Sequence, residues 1–463
     1  MADVFFATEG TPPRGLARLL RGFRLRHPAQ FVVAAFASTI LIGTVLLLLP
    51  IASVERGGTP FLTALFTATS AVCVTGLTVV DTGSYWSGFG QGTILLLIQV
   101  GGFGIMTLAS LLALLVSRRI GLKSRLLAQS ETKTLGLGDV RNVLVGVLAF
   151  SLLFETITAV IIGLRLFTGH GYSAIDAIYH GIFHAVSAFN NAGFSLYADS
   201  LERFVSDAWM SLGVAGAVVL GGLGFPVLME LRRRPRKPRQ WTLHTKITLG
   251  MTVVLLSLGT FAFLWFEWTN PETLGTFTAK GKLLPGFFQS VTSRTAGFNT
   301  LDFSEMRETT WLVTVVLMFI GGGSASTAGG IKVTTFALLG YVIWAEARGE
   351  PNVSLLGRRV PPTVQRQAIS VALLAVGAVV ASTIAMMAYG GFEMSRTLFE
   401  TVSAFATTGL STGLTSELSK ASQAILIVLM FVGRLGPITV GTALALRHRE
   451  RRYRLPEERP IIG

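Results

Sequence analysis

The chain has 463 residues, 51% of them hydrophobic and 14% charged, with a mean hydropathy of +0.60. That balance excludes a large soluble domain, and the single cysteine, Cys73, excludes an intramolecular disulfide and a Cys-rich metal site. The net charge of +14 raises nucleic acid as a partner, but the cations cluster in short stretches between apolar runs, where they read as topology signals.

In chain order, a basic stretch over residues 1–30 leads into the apolar run 31–49 without a cleavable signal pattern, so a cytoplasmic N-terminus is expected. Further apolar runs occupy 92–116, 143–164, 208–229, 247–266, 311–340, 368–388 and 422–446. About 20 residues suffice to cross a bilayer as a helix, and glycine interrupts the second, fourth, sixth and eighth of these eight runs. Placing the start in the cytoplasm puts 28 of the 39 Lys and Arg residues on the cytoplasmic side. The positive-inside rule then predicts both termini inside.

Between the runs of each pair lies a short segment that ends at a lone glycine. The four read AVCVTGL at Gly76, FNNAGF at Gly193, SRTAGF at Gly297 and FATTGL at Gly409, with Phe66, Phe183, Phe287 and Phe399 each ten positions earlier. Self-similarity at this spacing predicts an all-α polytopic membrane protein of four covalently linked helix–pore loop–helix repeats around a pseudo-fourfold pore. The repeats are expected over 31–123, 124–240, 241–350 and 351–446, followed by a basic cytoplasmic tail over 447–463.

Irregular backbone within lipid is tolerated where protein buries it or where it lines a wet cavity. The segments near 60–71, 174–188, 284–292 and 395–404 are too short to span and suit re-entrant pore helices, whose C-terminal ends favour a cation. The residues after them are candidate carbonyl ligands: Val74, Thr75 and Gly76; Asn191, Ala192 and Gly193; Thr295, Ala296 and Gly297; Thr407, Thr408 and Gly409. Glycine suits the shared position because it accepts backbone angles that other residues resist.

The second run of each pair carries VGGFG (100–104), LGGLGFP (220–226), IGGGS (320–324) or VGRLGP (432–437), which aligns Gly102, Gly222, Gly322 and Arg434. In the third copy, Gly321, Gly322, Gly323, Ser324, Ala325, Ser326, Thr327, Ala328, Gly329 and Gly330, followed by Lys332, hold too many small residues for a stable helix interior. This stretch is a candidate flexible gate. Arg434 is costly within a membrane and reads either as a barrier to cations or as half of a structural ion pair. Glu155, Glu400 and Arg294 are the other costly charges, and Arg294 with Glu400 is one conceivable pair.

GGGSASTAGGIK lacks the ending of a phosphate loop, and His180 with His184 lacks a third metal ligand, so nothing points to an enzyme. The basic segment LRRRPRKPRQ (231–240) reads as a topology determinant, a contact for anionic lipid, or a dock for a cytoplasmic partner.

At these motifs the chain resembles the Trk/Ktr/HKT superfamily of potassium transporters. FTATSAVCVTGLTVVDTG (66–83), SAFNNAGFS (187–195), SVTSRTAGFNT (290–300) and FATTGLSTGL (405–414) resemble its four filter regions. GGGSASTAGGIKVTT (321–335) resembles its gating loop and GRLGP (433–437) its arginine segment. Residues 1–30 are too few for the extra helix pair of Trk-type members, which points to a Ktr-type membrane subunit. The resemblance implies a homodimer in the cell inner membrane with one ion path per subunit. It also implies a cytoplasmic RCK-type regulatory ring that binds ATP or ADP, and uptake stimulated by Na+. Glycine at all four filter places implies K+ as the transported ion. The alternatives are a Na+ or unselective cation pathway and a non-transporting membrane scaffold.

Overall fold

The computed structural model describes residues 28–436 except 56, 105–106 and 108–136. The basic N-terminal stretch before residue 28, most of the basic segment 117–142 and the tail 447–463 lie outside the described residues.

Helices α1 (Pro28–Leu48), α2 (Phe61–Cys73) and α3 (residues 88–104) are followed by α4 (Leu137–Gly169) and α5 (Ala174–Phe189). Next come α6 (Ala208–Leu223), α7 (Phe225–Arg233), α8 (Leu243–Glu267) and α9 (Leu283–Thr292). The chain continues with α10 (Glu308–Phe319), α11 (Val333–Ala347), α12 (Pro362–Gly390), α13 (Met394–Ala406) and α14 (Lys420–Leu435). One small hairpin pairs Ser354–Leu355 with Arg358–Arg359.

Local sequence explains the starts. Thr242, Asp207, Ser173 and Ser419 cap α8, α6, α5 and α14 by accepting from backbone N–H groups of the first turn, and Pro362 opens α12 where no intrahelical donor is needed. Residues 144–169, Leu243–Glu267 and Pro362–Gly390 are long and apolar enough to cross a membrane. Only 33%, 22% and 22% of their most apolar windows are buried inside the protein, so their outer faces suit lipid.

Two expected spans are broken. The run 208–229 is not one helix: at Gly224 the axis turns by 96° between α6 and α7. Gly224 has φ 90° and ψ 148°, a conformation open to glycine, and Pro226 behind it cannot continue the ladder of α6. The run 311–340 is interrupted between α10 and α11, where Ile320 and Ile331 form a parallel bridge in place of helical bonds.

Packing is cyclic. Helices α1, α4, α8 and α12 each pack on the short helix that follows, α2, α5, α9 and α13. In turn, α6 packs on α9, α10 on α13, and the last helix, α14, returns to α2. From α3 to α5 the link is polar: Tyr179 donates to Gln91 Oε1 at 2.6 Å and Asn190 Nδ2 to Gln99 Oε1 at 3.0 Å. Phe66, Phe183 and Phe399 are fully buried in this ring, but Phe287 is half-buried and its neighbour Phe288 takes the inner place.

Candidate functional site

The four short helices end beside one another, and the four lone glycines meet. A Cβ built on Gly76 would lie 3.1 Å from Gly193 Cα, one on Gly193 would lie 2.8 Å from Gly297 Cα, one on Gly297 3.3 Å from Gly409 Cα, and one on Gly409 3.0 Å from Gly76 Cα. Each also runs into the carbonyl oxygen of the residue before the next glycine: Ala192, Ala296, Thr408 and Thr75 in that order. Any side chain here would meet backbone, which has no rotamer with which to withdraw.

Backbone conformation repeats with the same register. The glycines have φ of 92°, 70°, 81° and 90°, and the residues two before them are left-handed as well: Val74 55°, Asn191 58°, Thr295 63° and Thr407 50°. The residues between, Thr75, Ala192, Ala296 and Thr408, lack positive φ, so handedness alternates along each segment. Such alternation turns successive peptide groups toward one side. A left-handed residue with a side chain costs about 1–2 kcal/mol, and for β-branched Val74, Thr295 and Thr407 it is a genuine outlier.

Hydrogen bonds hold this strain in place. Thr75 N donates to Ser70 O at 2.8 Å, Ala192 N to Ser187 O at 2.7 Å, Ala296 N to Thr292 O at 3.0 Å and Thr408 N to Ser403 O at 2.8 Å. The Ser70 and Ser403 hydroxyls accept from Gly76 N and Gly409 N, both at 3.1 Å. The Ser187 hydroxyl instead donates to Phe194 O at 2.8 Å, and Thr292 Oγ1 donates to Phe298 O. These anchors were not singled out in the sequence. The signal was available in three copies: a serine six positions before Gly76, Gly193 and Gly409, with Val291 in the fourth.

The Thr75, Thr295, Thr407 and Thr408 hydroxyls and Asn191 Nδ2 are buried without a hydrogen-bond partner among the described residues. Buried polar atoms are normally paired, so their concentration around the glycines marks a polar locus within an apolar protein.

The second helices reach this locus through a glycine column next to the expected one. A Cβ on Gly101, Gly221 or Gly433 would collide with the carbonyl of Val72, Phe189 or Phe405, in each case the residue four before a ring glycine. In the third copy Gly321 instead faces the Gly329 carbonyl, because the chain folds back on itself. The column of Gly102, Gly222, Gly322 and Arg434 lies one step further along. There Gly102 meets Asn190 Oδ1, and Gly322 meets Ala328 Cβ and Gly222 O.

The stretch Gly321–Gly330 lies between α6, the ring and α14. Gly321 N donates to Ile331 O at 2.8 Å, Gly323 N to Gly222 O at 2.8 Å and Thr327 N to Gly221 O at 3.3 Å. Thr327 Oγ1 donates to Asn191 Oδ1 at 2.9 Å, directly below the second glycine segment. A Cβ on Gly329 would strike Thr407 Oγ1, below the fourth. Three cations, the buried Arg294 and Arg434 and the half-buried Lys332, hold carbonyls of this one stretch: Arg294 Nη2 that of Gly321 at 2.9 Å, Lys332 Nζ that of Ala328 at 2.5 Å, and Arg434 Nη1 that of Thr327. Ser326 Oγ donates to Gly323 O at 2.6 Å, and Ser324 Oγ shares a 3.0 Å bond with Thr334 Oγ1.

Arg434 has no carboxylate partner among the described residues. Arg294 does not reach Glu400, whose carboxylate accepts from Ser411 Oγ at 2.6 Å, Thr412 N at 3.0 Å and Thr415 Oγ1 at 2.7 Å. Glu155 accepts from Asn190 Nδ2 at 3.0 Å and Gln99 Nε2 at 3.3 Å, which ties the end of α5 to α3. His184 is occupied by His180 O at 2.8 Å and Ser195 Oγ at 3.1 Å.

Beyond the ring lies a carboxylate group. Asn299, two residues after Gly297, donates Nδ2 to Glu202 Oε1 at 2.6 Å. Burial, and then the nearby carboxylates of Asp302 and Asp199, push the Glu202 carboxyl up to about 7.

The family model for TrkH, described as a cation transport protein, matches residues 12–453. The chain is 41% identical over 412 residues to Ktr system potassium uptake protein B of Bacillus subtilis, covering 89% of this chain and 92% of that protein. It is 39% identical to the protein of the same name from Vibrio alginolyticus, covering 94% of each. To the potassium/sodium uptake protein NtpJ of Enterococcus hirae it is 36% identical, covering 94% of this chain and 97% of the relative. The potassium transporter TrkH from Vibrio parahaemolyticus superposes with a TM-score of 0.70 at 19% identity, covering 89% of this chain and 85% of that one, a likeness of fold.

Proposed function

Because the chain belongs to the TrkH family of cation transport proteins, we propose that it takes up K+ across the bacterial plasma membrane along a path centred on the four-glycine ring. The observation that carries this reading is the cyclic contact of Gly76, Gly193, Gly297 and Gly409 within one repeated backbone conformation. In this reading the four helix–loop–helix units surround one pore. A K+ ion sheds water and takes carbonyl ligands from residues 74–76, 191–193, 295–297 and 407–409. The C-terminal ends of α2, α5, α9 and α13 add the negative ends of their dipoles.

Residues 321–330 and Arg434 form the gate. The guanidinium of Arg434 repels cations, and its bond to Thr327 O ties that charge to the intramembrane stretch. Lys332 and Arg294 hold the two ends of the same stretch closed against the ring. Opening requires these carbonyl bonds to be exchanged together, which a cytoplasmic nucleotide-binding subunit would drive. The unit is a homodimer with both termini inside, and ATP or ADP acts on the regulator.

Uptake of Rb+ into K+-starved cells lacking their own uptake systems tests the reading. Saturable uptake that K+ competes for supports it. No uptake, with the protein at the membrane and its regulator co-expressed, overturns it. The name of the potassium/sodium relative favours a second reading, in which Na+ passes or stimulates passage, and the same assay with and without external Na+ separates the two.

A further inference from the structure

Helix α7 carries a second surface, remote from the ring. It leaves α6 at 96°, so where α6 crosses the membrane α7 runs nearly along its face. One side of α7 is apolar and packed, with Phe225, Val227 and Leu228 buried. Its last turn and the following residues expose Arg232, Arg233, Arg234, Arg236, Lys237 and Arg239. None of the six has a carboxylate within ion-pair distance among the described residues.

This basic segment is folded flat. Arg234 N donates to Glu230 O at 2.9 Å, and the Trp241 indole donates to Arg234 O at 2.9 Å. Among the described residues the acidic side chain nearby, Glu230, is occupied: it accepts from Thr242 N at 3.0 Å, Thr242 Oγ1 at 2.7 Å and Thr245 Oγ1 at 2.5 Å. Those bonds tie the segment to the start of α8, which crosses the membrane. The guanidinium of Arg232 lies 5.6 Å from the Phe150 ring centroid on α4, one turn before the outward-facing Leu153. Cations are therefore held at the level where apolar helix surface gives way to water, not on a projecting arm.

We propose that residues 232–239 bind the headgroups of anionic phospholipids of the cytoplasmic leaflet, with acyl chains lying along α4 at Leu153. A topology signal needs charge alone; here the charge is ordered, without an ion pair among the described residues, and set beside an apolar helix face. A protein partner would be met better by a segment that extends from the membrane. Each cation near an anionic surface strengthens attraction by roughly fivefold.

The test is native mass spectrometry of the delipidated full-length protein titrated with phosphatidylglycerol and with phosphatidylcholine. The R232Q/R233Q/R236Q/K237Q variant should lose the preference for phosphatidylglycerol by about tenfold or more, given the per-cation effect. The R358Q/R359Q variant, which removes two exposed cations on the hairpin, should keep it. Matching elution and thermal midpoint verify that both variants fold. The proposal is overturned if the fourfold variant keeps the wild-type preference, if R358Q/R359Q loses as much, or if equimolar inorganic phosphate displaces the lipid. It is overturned equally if the fourfold change abolishes only association with a cytoplasmic regulator.

Discussion

Replacing Gly297 by alanine is the cleanest perturbation of the ring. The new Cβ would stand 2.5 Å from Thr408 O, 3.0 Å from Gly193 Cα and 3.3 Å from Gly409 Cα, all of them backbone. Ordinary contact begins at 3.4 Å, so the third or fourth segment must move by about 0.9 Å. The alanine must also hold φ near 81°, at a cost of about 1–2 kcal/mol. Both effects disfavour the ring backbone seen here, the conformation that the proposed function assigns to ion binding. Since 1.4 kcal/mol is tenfold, Rb+ flux at limiting concentration should drop about 5- to 30-fold. Gly250→Ala, where nothing lies within 4 Å, should change nothing. The assay is flux into proteoliposomes, normalised to reconstituted protein. Equal flux and equal K+/Na+ discrimination in Gly297→Ala and Gly250→Ala would refute the reasoning.

Arg434→Ala should raise flux in the absence of the regulator, and the protein should still fold. It removes an intramembrane charge worth about 2.5–3.5 kcal/mol of insertion cost and leaves no carboxylate unpaired among the described residues. Deleting residues 323–329 should have the same sign in the same liposome assay, and a well-folded, silent deletion would count against the gate. Gly433→Ala should cut the yield of folded protein and lower the thermal midpoint far more than Gly216→Ala, since the first meets the Phe405 carbonyl and the second open space. Glu202, with its carboxyl raised to about 7, binds a proton more tightly in the folded protein than in the unfolded chain. Its contribution is therefore full below about pH 4.5 and is lost as pH rises through 7. A melting series across that window should show Glu202→Gln flatter than wild type, and identical slopes would contradict the assignment.

The sequence made the ring legible because glycine at a strained position leaves a mark that other residues do not. Gly76, Gly193, Gly297 and Gly409 were findable for that reason, and so was the break after Phe319, where small residues crowd. The left-handed turn at the second position was not, because three of its residues, Val74, Thr295 and Thr407, are β-branched types that resist it; the helix-end bonds above them hold the turn. The turn at Gly224 was hidden by apolar residues on both sides, which read as one span. Glu400 and Arg294 looked like partners because both are costly in a membrane, but local hydroxyls and a loop carbonyl are nearer. Long-range partners follow from how helices pack, and one chain's composition does not encode that.

The measurement closest to the central claim is the K+/Na+ preference of Gly76→Ser in proteoliposomes, compared with wild type. If the four glycines form the selective site, the serine displaces the Ala192 carbonyl and discrimination collapses while the protein stays folded. Unchanged preference in a folded Gly76→Ser protein would place the selective site elsewhere.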